Sequence, residues 1–352
     1  MSRGHFLLYG AYGYTGALIA AQARDHGLTP ILAGRRAGPL LALAARTGAQ
    51  HRVFALDSHA ATVRQLADCK VVLNCAGPFA DTARPMIAAC MDSASHYLDV
   101  SGEIDVFEHA QSCAAAARDA GILICPGVGF DVVPTDCLAL TLKHALPDAT
   151  NLELAFDMPG GLSPGTAKTM LRGLAQGGRA RCGGRIQSVP LAWRTREIDF
   201  GQGLRHAVSI PWGDVATAFY TTGIGNITTY VPLSPQKTRQ LRRLNYLRPL
   251  LKLDMLQRFA ARRIEHRVRG PDTAARDAAD GRIWGEVRNA AGDIRTARMQ
   301  TANGYSVTAA AALRIVAHIL ATPPRPGAST PAQLMGSDFA TQLPGSSTIS
   351  LS

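Results

Sequence analysis

The most informative absence is that of a long hydrophobic run. Although 47% of the 352 residues are hydrophobic, no uninterrupted apolar stretch approaches the ~18 residues that a membrane-spanning helix needs. The chain also enters its first apolar run almost at once, without the layout of a signal peptide. These features predict a globular protein of the cytoplasm, with two domains or one elaborated domain.

Metal-binding patterns are missing as well. The seven cysteines are odd in number and scattered, with no C-x-x-C pair, and the ten histidines form no H-x-H or H-E-x-x-H cluster. Scattered cysteines of this kind are typical of free thiols packed as small apolar residues in a reducing compartment. We therefore predict no metal site.

Two familiar catalytic patterns also fail. A short-chain dehydrogenase needs Tyr and Lys four residues apart, and no tyrosine here has that partner; Tyr97, for example, is followed by Ser101. The stretch GLSPG, residues 161–165, matches the nucleophile elbow G-x-S-x-G of hydrolases. However, its oxyanion hole requires the N–H of the residue after the serine, and Pro164 has none. Ser163 is left as a helix cap or a contact to substrate.

What the chain does contain first is an alternation of short apolar strands and helical stretches. The pattern predicts strands over 5–9, 29–33, 51–56, 70–75, 96–100 and 122–125. It predicts helices over 15–26, 37–47, 58–68, 81–92 and 104–120. Such alternation is typical of βαβ units, so we predict an α/β fold with a Rossmann-type, doubly wound parallel sheet.

The hydrophobic pattern changes near residue 150, where polar and apolar residues begin to alternate. It predicts an α+β domain on a largely antiparallel sheet, with a hairpin that turns at Asn289–Asp293 and a helix over 304–321. We divide the chain into a nucleotide-binding domain (1–130), an α+β substrate domain (131–302) and a C-terminal part (303–352) that returns to the first domain.

The first strand leads into GAYGYTG, whose three glycines have the spacing G-x-x-G-x-x-G. Glycines between a strand and a helix let backbone N–H groups approach a pyrophosphate, and the helix N-terminus adds partial positive charge. A purely structural tight turn is the alternative. The residues predicted to bind the cofactor here are Gly10, Tyr12, Gly13, Tyr14, Thr15 and Gly16.

The second strand ends in AGRR. An NAD site usually places Asp or Glu there to hold the ribose 2′-hydroxyl. This chain has Arg35 and Arg36 instead, and a guanidinium can hold the 2′-phosphate of NADP(H) through paired hydrogen bonds. We therefore predict NADP(H) rather than NAD(H), with two ordinary surface arginines as the alternative.

Residues after the third and fourth strands should also border the cofactor, because ligands lie at the carboxyl ends of parallel strands. Asp57 could accept a hydrogen bond from the adenine amino group, or it could cap a helix. The stretch LNCAGPF places four further candidates near the ribose and nicotinamide: Asn74, Ala76, Gly77 and Pro78.

Taken in order, several stretches resemble the saccharopine dehydrogenase-like family, which includes saccharopine reductases and trans-acting enoyl reductases. They are GAYGYTG with AGRR, LNCAGPF, HYLDVSGE (96–103), GVGFDVVPTD (127–136), GGLSPGTAKT (160–169), GPDTAARD (270–277), NGYSVTA (303–309) and STPAQLMG (329–336). The resemblance implies a Rossmann domain joined to an α+β domain, with NADP(H) and substrate meeting in a cleft between the domains.

Polar residues of HYLDVSGE and GVGFDVVPTD follow predicted strands, so we expect them near the nicotinamide. Tyr97, Glu103 and Asp131 are the candidate acid–base groups. Each has an alternative role in the scaffold, since Glu103 and Asp131 could cap helices and the neighbouring Asp99 could be a buried structural carboxylate.

The sequence thus favours an NADP(H)-dependent oxidoreductase that reduces a C=C or C=N bond in an apolar or carrier-bound substrate. One alternative is an amino-acid imine reductase, which would need arginines such as Arg172, Arg179, Arg181 or Arg185 to converge on substrate carboxylates. Another is a cofactor-binding scaffold without catalysis.

The net charge of +11 is concentrated in one segment, 237–269, which holds eleven Lys or Arg against Asp254 and Glu265. Its apolar residues recur at helical spacing, at Leu244, Leu247, Leu251, Met255 and Phe259. We expect an amphipathic helix, kinked at Pro249, that packs on the core or on a second subunit. An acidic carrier protein or an anionic membrane surface are the alternatives, the latter making the protein peripheral to a membrane. Nucleic acid is not expected as a partner.

Overall fold

The computed structural model describes residues 5–159, 163–251, 253–267 and 279–352. It divides into two compact units. The first comprises the chain up to Val133 together with Tyr305–Met335, and the second comprises Pro134–Gly304 with Gly336–Ser352. The boundaries expected near 130 and 302 lie within three residues of these. The final residues differ from expectation, because Gly336–Ser352 groups with the second unit and not with the first.

The first unit contains a seven-stranded sheet in which every pair of neighbours is parallel. The strands are β1 (His5–Tyr9), β2 (Thr29–Gly34), β3 (His51–Val53), β4 (Val71–Asn74), β5 (His96–Asp99), β6 (Leu123–Cys125) and β15 (Gly327–Ala328). Their order across the sheet is β15-β6-β5-β4-β1-β2-β3. Successive strands run outward from β1 in one direction and from β4 in the other, so the topological switch point lies between β1 and β4.

Helices alternate with these strands. They are α1 (Tyr14–Gln22), α2 (Ala37–Thr47), α3 (His59–Leu66), α4 (Phe79–Asp92), α5 (Ile104–Ser112), α6 (Ala114–Asp119), α12 (Gly304–Ala321) and α13 (Pro331–Met335). The predicted doubly wound sheet is therefore confirmed. The predicted strand 51–56 ends at Val53, since β3 is an edge strand with one neighbour, and the predicted helix 104–120 is interrupted at Cys113.

The core of the first unit forms where helix faces cover the sheet. Leu7, Val72 and Tyr97 are buried in one cluster with Met86 and Ile87 of α4, and burial of such apolar surface is the main stabilising contribution. Among described helices, α12 is long and apolar enough to cross a membrane, yet 56% of it is buried within the protein, as in a core helix.

The second unit is built on a mixed, largely antiparallel sheet, as predicted. The strands are β7 (Asn151–Asp157), β8 (Gly178–Cys182), β9 (Arg185–Val189), β10 (Thr195–Asp199), β11 (Leu204–Ile210), β12 (Asn226–Pro232), β13 (Gly281–Arg288), β14 (Ile294–Thr301) and β16 (Ser350–Leu351). Their order is β10-β11-β12-β7-β13-β14-β16, and β8 pairs with both β12 and β9. Among these described strands, β12 and β7 form the one parallel pair.

The hairpin β13–β14 turns at the predicted residues, where the Asn289 side chain accepts from the Asp293 N–H at 2.8 Å. The helices of this unit are α7 (Val133–Ala145), α8 (Pro164–Gln176), α9 (Asp214–Thr222), α10 (Pro235–Leu251) and α11 (Asp254–Arg267). The single amphipathic helix expected here is two helices. α10 continues through Pro249 to its last turn, and α11 begins after a break.

Candidate functional site

The loop between β1 and α1 lies against the loop that follows β4. Gly10 has φ +77°, and a Cβ at this position would lie 2.7 Å from the backbone nitrogen of Ala76. The N–H groups of Gly10 and Ala11 both donate to the carbonyl of Ala33, at 2.8 and 3.1 Å. Glycine is therefore required at position 10 for both conformation and space, and this requirement arises at the switch point of the sheet.

Gly16 completes a cradle for the start of α1. A Cβ at Gly16 would lie 2.5 Å from the carbonyl oxygen of Gly10, so only glycine lets the helix begin this close to the loop. Gly13 is the N-cap, with no side-chain cap and no acidic residue in the first turn. The N–H groups and the dipole of such a helix start suit an anion, and the cradle fits the pyrophosphate of a dinucleotide.

Tyr12 and Arg36 are brought together beside this cradle. The Arg36 guanidinium lies over the Tyr12 ring, 4.9 Å from its centroid, a cation–π contact. The ring also lies on Gly34, where a Cβ would be 2.6 Å from a ring carbon. Arg35 and Arg36 are both exposed, so their charges are available to a 2′-phosphate.

Three other predicted cofactor residues have less distinctive surroundings. Tyr14 packs edge-on against Tyr305 of α12, with ring centroids 4.7 Å apart, and Thr15 is half-buried in the first turn of α1. Asp57 is exposed and does not cap α3, since Ser58 performs that role by accepting from the Ala61 N–H.

Asn74 is fully buried and shapes the loop after β4. Its side-chain oxygen accepts from the Ala76 N–H at 3.0 Å, and its amide nitrogen donates to Thr82 at 3.1 Å. Thr82 in turn donates to the Ala76 carbonyl at 2.7 Å. Asn74 is thus a buried residue whose hydrogen bonds hold the loop after β4 in place. The Gly77–Pro78 peptide bond of this loop is cis.

Thr82 was not singled out from the sequence. Its position in the first turn of α4, shortly after Pro78, was the available signal, because a hydroxyl there can reach back to the preceding loop.

Tyr97 is fully buried, and its hydroxyl donates to Asp99 at 2.7 Å. Burial and the neighbouring Asp99 raise the pKa of the Tyr97 hydroxyl well above its ordinary value. Asp99 is also fully buried and accepts from the N–H groups of Ser101 and Gly127, each at 2.9 Å. This pair joins the ends of β5 and β6, which is a scaffolding position.

Glu103 holds the start of α4. Its two carboxylate oxygens accept from the N–H groups of Phe79 and Ala80, at 3.0 and 2.8 Å. A carboxylate at a helix N-terminus satisfies unpaired N–H groups and interacts favourably with the helix dipole. The predicted helix-cap role is thus realised on α4, a helix that precedes Glu103 in the chain.

Asp131 differs from the other acidic candidates. It is half-buried, and its carboxyl lies against Gly102, where a Cβ would be 3.0 Å from Oδ2. Desolvation raises its pKa to about 7. A carboxyl group with a pKa raised this far is partly protonated at neutral pH, which an acid–base group requires.

The second unit places two further predicted residues in structural roles. Ser163 caps α8 by accepting from the Thr166 N–H at 3.2 Å. Arg181 is buried, donates to the carbonyls of Val215 and Gly184, both at 2.8 Å, and stacks on Phe219. GPDTAARD and the first residues of GGLSPGTAKT lie outside the described residues. No group of three or more His, Cys, Asp or Glu that could hold a metal occurs among the described residues.

Comparison with known proteins agrees with this geometry. Residues 6–125 match the model of the saccharopine dehydrogenase NADP binding domain. A trans-acting enoyl reductase of Mycobacterium ulcerans is 31% identical over 207 residues, 55% of this chain and 45% of that protein. An Arabidopsis thaliana protein named as a saccharopine dehydrogenase-like oxidoreductase is 33% identical over 147 residues, covering 37% and 32% of the two chains. The chain thus spans less than half the length of these relatives.

The fold extends the likeness beyond the first domain. The apo structure of saccharopine dehydrogenase (L-Glu forming) from Saccharomyces cerevisiae superposes with a TM-score of 0.65 over 99% of this chain and 100% of the other, at 12% identity. At that identity the match concerns the fold alone. Together with the family match over residues 6–125, it confirms the resemblance read from the sequence, and the family match supports the predicted NADP(H) cofactor.

Proposed function

We propose that this protein is an NADP(H)-dependent oxidoreductase that reduces a C=C or C=N bond of an apolar or carrier-bound substrate. The observation that carries the proposal is the cradle formed by Gly10, Gly16 and the uncapped start of α1, with Arg36 and Tyr12 beside it. The cradle suits the pyrophosphate, and the two side chains suit the adenosine 2′-phosphate.

When bound, NADPH supplies a hydride, which carries two electrons to the substrate carbon. The product then requires one proton at the other atom of the reduced bond, or on the atom to which charge is delocalised. The protein has to position the acceptor and provide or relay that proton.

Asp131 is our candidate for the proton donor. Of the three predicted acid–base groups, Tyr97 is fully buried and bonded to Asp99, while both oxygens of Glu103 cap α4. Asp131 is partly exposed and has a pKa raised to about 7. The desolvated carboxyl can therefore hold a proton to donate at neutral pH.

Part of the positive charge on the sheet of the second unit is paired within the protein. Within the described residues, several arginines on its sheet already pair with acidic side chains, and Arg181 is bonded internally. The ion pairs are Arg196 with Glu153 and Glu286, Arg205 with Asp157, and Arg298 with Asp199. Of the arginines that an amino-acid imine reductase would need, Arg181 is therefore occupied within the protein.

The test is stopped-flow oxidation of NADPH against two substrate sets, namely enoyl thioesters and 2-oxo acids supplied with amines. Turnover with enoyl thioesters supports double-bond reduction, whereas turnover only with the second set indicates an imine reductase. Tight NADPH binding with no turnover of either set would contradict the catalytic proposal and indicate a cofactor-binding scaffold.

The role of Asp131 is tested by the pH profile of turnover. A donor must be protonated, so the wild-type rate should fall as pH rises through about 7. Asp131→Asn should lower the rate by ~100-fold and remove this step from the profile, with NADPH affinity unchanged. A wild-type profile that is flat near neutrality, or an Asp131→Asn variant with full activity, would exclude Asp131 as the donor.

A further inference from the structure

The basic helix α10 contacts its own domain through polar side chains. Asn245 accepts from the N–H of Leu191 at 2.8 Å and donates to the carbonyl of the same residue at 3.1 Å. Arg242 donates to Ala192 and Arg248 to Gln176, both at backbone carbonyls. These three side chains recur at helical spacing, so hydrogen bonds to backbone groups hold α10 in place beside the half-buried Leu241 and Leu244.

The large apolar side chains of the same segment are exposed instead. Of eleven large hydrophobic residues that are exposed in the described part of the chain, five lie between residues 246 and 259. They are Tyr246 (87% exposed), Leu247 (50%), Leu253 (54%), Met255 (79%) and Phe259 (62%). The expectation that this stripe packs on the core is wrong for Leu247, Met255 and Phe259. A concentration of exposed apolar side chains of this kind marks an interaction surface.

Basic residues lie in the same two helices as these apolar residues. The exposed basic side chains of the two helices include Lys237, Arg239, Arg243, Arg263 and Arg267. Over residues 237–269 the net charge is +9. A symmetric dimer through this surface would place the same positive patch on both sides, which electrostatic repulsion opposes.

We propose that α10 and α11 form a docking surface for an anionic lipid bilayer. Arginine and lysine attract acidic headgroups, while the exposed Leu, Met, Phe and Tyr side chains enter the boundary between headgroups and acyl chains. Tyr246 suits this boundary, since an aromatic ring with a hydroxyl has one apolar and one polar end. The surface lies within the second unit and does not depend on the proposed reaction.

The test is co-sedimentation of the full chain with vesicles of phosphatidylcholine, alone or with phosphatidylserine. We expect binding to the mixed vesicles at low salt, at least ~10-fold weaker binding to neutral vesicles, and release at high salt. The variants Met255→Ser/Phe259→Ser and Arg239→Glu/Arg243→Glu should each reduce binding by at least ~10-fold. Matched controls on other surfaces are Leu204→Ser, at an apolar residue 73% exposed, and Arg64→Glu.

Thermal unfolding and NADPH affinity should be unchanged in all four variants, which separates lost docking from lost folding. Absence of binding to phosphatidylserine vesicles at low salt would overturn the proposal, as would equal binding by Met255→Ser/Phe259→Ser. A dimer that dissociates in that double variant would assign the surface to a second copy. Binding to an acidic carrier protein, with none to vesicles, would assign it to a protein partner.

Discussion

Asp99 offers a sharp test of how the end of the Rossmann sheet is stabilised. Its carboxylate accepts from Ser101, Gly127 and Tyr97 in a fully buried position. Asp99→Asn keeps one oxygen for the two backbone N–H groups, and its amide can donate to the Tyr97 hydroxyl oxygen. Asp99→Ala removes every acceptor at once. The two variants therefore separate loss of charge from loss of hydrogen bonds.

Leaving buried donors unpaired is costly, at ~1–3 kcal/mol for each group. Three donors lose their acceptor in Asp99→Ala, so we expect the free energy of unfolding to fall by about 3–5 kcal/mol, allowing for non-additivity. Asp99→Asn should cost about 1 kcal/mol at acid pH, where the wild-type carboxyl is protonated.

The pH dependence has a definite sign. Burial raises the pKa of Asp99 from 3.8 to about 6, so the folded state holds the proton more tightly than the unfolded state. This contribution is fully present below pH 3.8 and is lost as pH rises through about 6. At about 1.4 kcal/mol per pKa unit it amounts to about 3 kcal/mol.

Urea unfolding followed by circular dichroism between about pH 4 and pH 8 measures the free energy of unfolding of each variant and its pH dependence. Wild-type stability, compared with that of Asp99→Asn, should decline by about 2–3 kcal/mol across this range, with the change spread between about pH 4 and pH 6 and little change above that. A difference between the two proteins that does not vary with pH would refute the raised pKa. Equal stability of Asp99→Ala and Asp99→Asn would refute the assigned role of the three hydrogen bonds.

Three further variants test the cofactor loops. Gly10→Ala would place a Cβ 2.7 Å from the backbone nitrogen of Ala76, at a residue whose φ is +77°. It should therefore weaken NADPH binding by at least ~10-fold in fluorescence titration. Wild-type affinity would contradict the close approach of the two loops. Arg36→Glu should weaken NADPH binding ~10–100-fold while leaving NADH binding unchanged or improved, and equal losses for both cofactors would exclude a 2′-phosphate contact. Glu103→Gln should lower the free energy of unfolding by ~1 kcal/mol in chemical denaturation, and an unchanged value would show that the charge does not stabilise α4.

The parts of the fold that could be predicted from sequence are those with local signals. Six of the seven strands of the Rossmann sheet, the helix over 304–321 and the turn at Asn289–Asp293 follow from periodicity and turn residues within one short window, whereas the two-residue strand β15 was not predicted. Gly10 and Gly16 are also recognisable from the local sequence. The need for glycine at position 10, however, comes from the backbone of Ala76, a distant residue that the parallel pairing of β1 with β4 places next to it.

Side-chain roles were harder to predict because they depend on partners distant in sequence. Glu103 reads as a cap for the helix that follows it, and only the packed structure places its carboxylate on α4. The face of α10 is a similar case. Periodicity located the apolar stripe, but it could not reveal that Asn245 and Arg248 would supply the contacts to the protein.

The polar residues at the carboxyl ends of β4 and β5 therefore have structural roles, which differ from the catalytic role proposed for Asp131. Asn74, Tyr97 and Asp99 bond to one another or to loop backbone, so their hydrogen-bonding capacity is used in holding the loops in place. Such groups act on a bound cofactor only through the loops they hold, and their replacement should change cofactor affinity and stability together. Asp131 is distinguished by a pKa that desolvation raises to about 7, so we expect its replacement to change the rate and its pH profile while leaving affinity intact. Measuring rate, affinity and stability for Asn74→Ala and Asp131→Asn side by side distinguishes the two classes, and a shared pattern of losses would show that Asp131 belongs to the scaffold as well.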